Sequence, residues 1–184
     1  MDIIEILEKQ RQVYLRQLDQ FWEDKIGAKE ILVAYNSDKP PMLLNLTRFD
    51  YLEKRNDTFD IEELSPDTYI NHETLEFITG NLTIVLNPFY WHGCEFILNK
   101  KMSDTTFIED WAKQWIDEDD LLQGSTEGYS NAIHSVTIPE IGEDETKFTI
   151  DFGTATIDCF LDLINKISEN NIKKVTVNSF DLIA

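Results

Sequence analysis

The chain has 184 residues, 42% hydrophobic and 11% aromatic, with 35 acidic against 16 basic side chains and a formal net charge of −19. That length suits one domain, able to bury about two-thirds of its unfolded surface without disulfides or a metal. The apolar content excludes a disordered acidic tail, and the charge argues against direct binding to nucleic acid or an anionic membrane.

The charge is unevenly placed. Residues 56–146 hold 20 acids and three bases (Lys100, Lys101 and Lys113), which accounts for −17 of the −19. Residues 56–99 contain no Lys or Arg. Solubility is served by interspersed charges, whereas a one-signed cluster repels itself. The block is therefore read as a face for a basic partner, with plain solubility as the alternative. The N-terminus, Met1-Asp2-Ile3-Ile4-Glu5, lacks the basic and apolar regions of a signal peptide. No apolar run reaches the ~18–20 residues that span a bilayer. Cys94 and Cys159 are far apart and read as buried thiols. The expected location is cytoplasmic.

In chain order, residues 3–25 predict a long helix, because Ile3, Leu7, Tyr14, Leu18 and Phe21 recur at three- and four-residue spacing. Gly27 reads as its stop. Residues 31–35 are a short β-rich run, Lys39-Pro40-Pro41 a turn, and 42–46 ambiguous between strand and helix. Residues 55–71 read as a long polar loop broken by Pro66. Two apolar runs, 74–79 and 82–87, flank Gly80-Asn81 and predict a tight hairpin. After the aromatic loop Phe89-Tyr90-Trp91-His92-Gly93, residues 95–99 predict a third strand. Residues 105–116 predict a helix with a Thr106/Glu109 capping box and Phe107, Ile108, Trp111 and Trp115 on one face. Residues 132–138 and 147–152 predict strands joined by an acidic turn. Residues 157–168 predict a helix stopped at Asn170-Asn171, and 174–178 a last strand.

These elements predict a single α+β domain over residues 1–184. It has a mainly antiparallel central sheet of about six strands, with helices packed against it. Its parts are a long N-terminal helix (1–27), an irregular acidic-loop region (28–71) and the sheet and helices (72–184).

The helix ending near Ile116 runs into Asp117-Glu118-Asp119-Asp120. A helix C-terminus favours cations, so four carboxylates there are of the wrong sign. Broken local rules often mark functional sites. A basic partner would relieve the repulsion, and a solvated loop is the plainer reading. A calcium loop is disfavoured, because Leu121 and Leu122 occupy positions needing a ligand and a glycine. The candidate partner-binding residues are Asp57, Asp60, Glu62 and Glu63; Asp117, Glu118, Asp119 and Asp120; Glu143, Asp144 and Glu145; and Tyr90 and Trp91. The two aromatics suit an interface anchor or, alternatively, a plug for the end of the core.

The three histidines, His72, His92 and His134, match no zinc signature. His134 reads as a satisfied, semi-buried histidine. Phosphate-loop, dinucleotide and nucleophile-elbow motifs are absent. No catalytic, cofactor-binding or metal-ligating residue is assigned, and the chain is read as a non-enzyme.

The segment from Trp91 to Ser179 resembles immunity proteins of bacterial polymorphic toxin and contact-dependent growth inhibition systems. The resembling pieces are Trp91-His92-Gly93-Cys94-Glu95, Trp111 and Trp115 with the acidic stretch to Asp120, Asn131-Ala132-Ile133-His134-Ser135-Val136, and Phe148-Thr149-Ile150-Asp151-Phe152-Gly153-Thr154-Ala155. The resemblance implies a small cytosolic inhibitor that neutralises a cognate toxin domain. Many such toxins are nucleases, basic because their substrate is a polyanion. It transfers no catalytic residues. The alternatives are a nucleic-acid mimic and an acidic adaptor or scaffold domain.

Overall fold

The computed structural model describes residues 2–34, 42–56, 58–119, 121–122 and 128–179. Helix α1 spans Ile3–Trp22, and the Asp2 carboxylate caps it by accepting from the Glu5 N–H at 2.8 Å. Its buried stripe includes Ile6, Leu7, Tyr14, Leu18 and Trp22. Gly27 is not its stop. The helix ends five residues earlier, and Gly27 instead allows a close approach: its N–H donates to Tyr51 Oη at 2.7 Å, and a Cβ would lie 2.3 Å from the Leu52 carbonyl.

The region 28–71, expected to be irregular, holds an antiparallel three-stranded sheet. Its strands are β1 (Ala28–Ala34), β2 (Leu46–Arg55) and β3 (Thr58–Glu62), with β2 central. The charged residues of β2 hid it from pattern reading, since Arg48 and Asp50 face inward and are buried. The segment after β3 does lack regular structure, but α1 holds it. Gln10 exchanges both of its amide hydrogen bonds with the Ile70 backbone, and Gln17 accepts from the Asp67 N–H.

The larger sheet has seven strands: β4 (Leu75–Thr79), β5 (Leu82–Leu86), β6 (Cys94–Leu98), β7 (Ser135–Val136), β8 (Glu140–Ile141), β9 (Thr146–Asp151) and β10 (Lys174–Ser179). The order is β4-β5-β10-β6-β9-β7, with β8 also on β9. The sheet is mixed, because β10 inserts between β5 and β6, parallel to the first and antiparallel to the second. The β4–β5 hairpin turns at Gly80, whose φ of 58° suits glycine.

Burial alternates along these strands. Leu82, Ile84, Leu86, Phe96, Phe148 and Val175 are buried, while Thr83, Val85, Ile97 and Thr149 between them stay half-exposed. The buried face packs against α2 (Thr106–Ile116) and α3 (Ile157–Glu169): Phe96 lies 5.4 Å from Phe160, and Trp111 6.3 Å from Phe152. Helix α3 stops as expected, with Asn170 as its cap and Asn171 left-handed at φ 57°. The expected capping box of α2 does not form. Asp104 accepts from the Thr106 N–H at 2.9 Å, and Glu109 pairs with Lys113.

The two sheets join where Leu43 N–H donates to the Val136 carbonyl and Arg48 N–H to that of His134. Arg48 also resolves the charge conflict at the end of α2. Its buried guanidinium donates to the Ile116 and Asp117 carbonyls at 2.9 and 3.2 Å, and to the Glu30 carbonyl at 2.8 Å. A cation thus sits at the negative end of the helix dipole, supplied from β2.

Arg48→Met strands these carbonyls and is expected to cost on the order of 3 kcal/mol; a urea midpoint within error of wild type would contradict that role.

Candidate functional site

The sequence-predicted residues do not form one surface. Trp91 is buried at 2% exposure. It stacks on Phe152 at 4.7 Å and donates from Nε1 to the Gly153 carbonyl at 3.0 Å. It plugs the core and presents no anchor. Tyr90 is half-buried, edge-on to Tyr69 and His92. Asp117 is also buried, at 5%. It adopts a left-handed conformation (φ 56°), and its carboxylate accepts from the Leu121 and Leu122 N–H groups at 2.7 and 2.9 Å. It is therefore the hinge of a turn and not a surface charge. Asp57 and Asp120 lie outside the described residues.

The β3 block is largely neutralised. Asp60 pairs with Arg55, and Glu62 with Lys25, whose ammonium also lies over the rings of Phe21 and Tyr51. Burial, and then the charge of Asp50, push the Glu63 carboxyl upward. Glu143 and Asp144 are exposed, and Glu145 pairs with Lys147 at 2.8 Å. The 143–145 turn precedes β9, while the other two blocks attach to β2. Leu64 N–H donates to Asp50, and Arg48 binds the Asp117 carbonyl. Asp50 in turn meets the far end of β9, at Asp151, through His134. Glu118 and Asp119 are exposed and make no ion pair among the described residues. Beside them Leu121 is 80% and Leu122 37% exposed.

The most heavily charged locus is internal, and sequence reading missed most of it. His134, 2% exposed, places Nε2 3.5 Å from Glu30 Oε1, and Nδ1 3.5 Å from Asp50 Oδ1 and 3.9 Å from Asp151 Oδ2. The expected satisfied histidine is present, but as the centre of an ionic cluster. Glu30 and Asp50 lie between the paired residues Lys29–Tyr51 and Ile31–Phe49 of the β1–β2 register, and Glu30 has φ 50°. That backbone costs about 1–3 kcal/mol. It is held because Ser130 donates to Glu30 from both its N–H (2.8 Å) and its hydroxyl (2.6 Å), and Thr154 donates from its hydroxyl. Tyr14 donates to Asp50 at 3.0 Å. Arg11, from α1, donates to the Ala155 and Thr154 carbonyls at 2.9 and 3.1 Å. Gly153 closes the cluster, since a Cβ there would lie 2.1 Å from the His134 ring.

Electrostatics follow from this packing. Burial opposes protonation of His134, but Asp151, Glu30 and Asp50 outweigh it and raise the imidazole from 6.5 to about 9. Burial likewise opposes ionisation of Glu30. Its hydrogen bonds with His134, Ser130 and Thr154, and the charge on His134, outweigh that and lower it from 4.5 to about 2. Burial pushes Asp151 up to about 7, with Asp50 and Glu63 adding to the push. Its side chain keeps 26% exposure, and water at that edge works against the push. The cluster thus holds an imidazolium–carboxylate pair, His134 and Glu30, with Asp151 at its rim. Ser130 donates to Glu30 and not to His134, so it is not set up as an activated nucleophile. Among the described residues no group of three or more His, Cys, Asp or Glu is arranged to hold a metal ion. Cys94 and Cys159 are buried and unbonded, and burial raises both thiols. No helix is long and apolar enough to cross a membrane, among the described residues.

Comparison with family models, curated proteins and solved structures finds no match to this chain.

The pH dependence has a definite sign. A base raised on folding stabilises fully below its unfolded pKa of 6.5 and loses that contribution as pH rises through about 9. Glu30 contributes above 4.5 and loses its contribution as pH falls through about 2. Asp151, an acid raised on folding, lowers stability as pH climbs from 3.8 to about 7. Stability is expected to fall by on the order of 2–3 kcal/mol between pH 6.5 and 9, and His134→Gln should flatten that limb. An identical slope in wild type and variant, measured by urea unfolding across this range, would show that His134 does not titrate there.

Proposed function

We propose that this chain is a non-catalytic, immunity-type inhibitor that binds and neutralises a basic toxin domain, with a nuclease as the best-matched class. The observation that carries the reading is the turn after α2. Glu118 and Asp119 are exposed and make no ion pair among the described residues, beside the exposed Leu121 and Leu122, in a turn whose N–H groups are held by the buried Asp117. An apolar centre with a charged rim is the anatomy of a protein-binding patch, and a fixed turn carries a smaller ordering cost on binding. The Asp117 carboxylate takes both turn N–H groups and Arg48 neutralises the helix end, so the outer carboxylates are left for a partner. The resemblance of residues 91–179 to immunity proteins supports the toxin as partner. The one-signed charge supports electrostatically steered association, as fits an inhibitor that must reach its target before damage is done.

The test starts from a low-salt pull-down from bacterial lysate, eluted by a salt gradient, to recover a basic toxin domain encoded with this chain. With that domain in hand, Glu118→Lys/Asp119→Lys is expected to slow association at least tenfold at low salt and to flatten its salt dependence, with the melting temperature unchanged. Association kinetics equal to wild type would remove this turn from the interface.

A further inference from the structure

The larger sheet ends in an open edge at β4. Ladder geometry fixes which backbone groups face outward there. Thr83 N–H donates to the Lys173 carbonyl and Asn87 N–H to that of Val177, so the odd-numbered residues of β5 turn their backbone groups toward β10. The even-numbered residues Leu82, Ile84 and Leu86 therefore turn theirs toward β4, and they pair there with Thr79, Phe77 and Leu75. The intervening β4 residues, Glu76 and Ile78, must then point N–H and C=O away from the sheet. Both are exposed, Ile78 at 75%, and no element pairs with β4 on that side among the described residues.

Natural edge strands are protected by Lys, Pro, bulges or a covering element. The β4 strand has none of the first three: its sequence is Leu-Glu-Phe-Ile-Thr, and its register with β5 is unbroken. We propose that β4 is a strand-acceptor edge that takes an extended, lysine- or arginine-rich segment of a partner protein as an added strand, hydrogen-bonded to the backbone of Glu76 and Ile78. Strand addition draws affinity from main-chain hydrogen bonds and specificity from alternate side chains. Here the charge sets the specificity. Glu73 and Glu76 flank the edge in a stretch, residues 56–99, without a single Lys or Arg. A second copy of this chain would bring the same acidic strand and another −19 of net charge, so self-pairing is opposed. This edge is separate from the turn after α2, and the proposal does not rest on the inhibitor reading.

The probe is a capped heptapeptide of alternating Lys and Val, with the Glu/Val analogue as control. Amide exchange of the full chain, followed by NMR, should slow at least tenfold at Glu76 and Ile78 with the lysine peptide and remain unchanged with the glutamate one. Ile78→Pro deletes one outward donor at a position where an edge strand tolerates proline. It should keep the wild-type circular dichroism and weaken peptide binding at least tenfold. Should that variant fail to fold, Glu76→Lys tests the charge term on an intact backbone, and the preference should then shift toward the glutamate peptide. Unprotected amides at Glu76 and Ile78, an unaltered peptide preference in Glu76→Lys, or protection that grows with protein concentration alone would each overturn the proposal, the last by making a second copy the occupant.

Discussion

The seam between the two sheets is organised around one buried histidine, His134, with Glu30, Asp50 and Asp151 about its ring. His134 belongs to the segment leading into β7, Glu30 to β1, Asp50 to β2 and Asp151 to the end of β9, so one side chain ties the small sheet to the large one. Tyr14 and Arg11 bring α1 to the same seam. Taking such charges out of water is expensive, and only mutual attraction with hydrogen bonds to the remaining lone pairs offsets the cost. The structure supplies those bonds from Ser130, Thr154 and Tyr14. The glycine at 153 and the left-handed backbone at Glu30 are consequences, since each is the local geometry that lets the ring and the carboxylate meet.

The same seam changes the meaning of the −19 charge. Glu30, Asp50 and Asp117 are inside, each with donors of its own. Asp60 is matched by Arg55 on the neighbouring strand, Glu62 by Lys25 from the connection after α1, Glu109 by Lys113 one helical turn on, and Glu145 by Lys147 two residues on. Surface pairs of this kind contribute little to stability, but they remove charge from the field a partner sees. Exposed carboxylates without an ion pair among the described residues remain on several elements, among them Glu8, Asp110, Asp158 and Glu169 as well as the turn after α2, the β8–β9 turn and β4. An acidic composition thus resolves into separate patches with different neighbours. In the turn after α2, exposed carboxylates adjoin an exposed apolar pair whose backbone N–H groups are held by Asp117.

Local signals carried much of the framework. Helical spacing predicted α1, α2 and α3, and the Gly80-Asn81 pair predicted the β4–β5 hairpin in its observed place. The reading failed where side chains act across the fold. In β2, Arg48 and Asp50 break the apolar alternation that marks a half-buried strand, because the residues that compensate them lie at positions 14, 30, 116–117 and 134. The parallel pairing of β10 with β5 was likewise invisible, since strand order depends on where α3 returns the chain.

The sequence by itself determined the α+β class, most helices and strands, and the net charge, because propensity, periodicity and composition act over short distances or by simple addition. Tertiary structure alone decided which carboxylates are buried, which are paired and which face solvent. Those outcomes depend on partners far apart in the chain: Asp117 leaves the surface because its turn folds onto it, and the conflict at the end of α2 disappears because Arg48 arrives from 68 residues away.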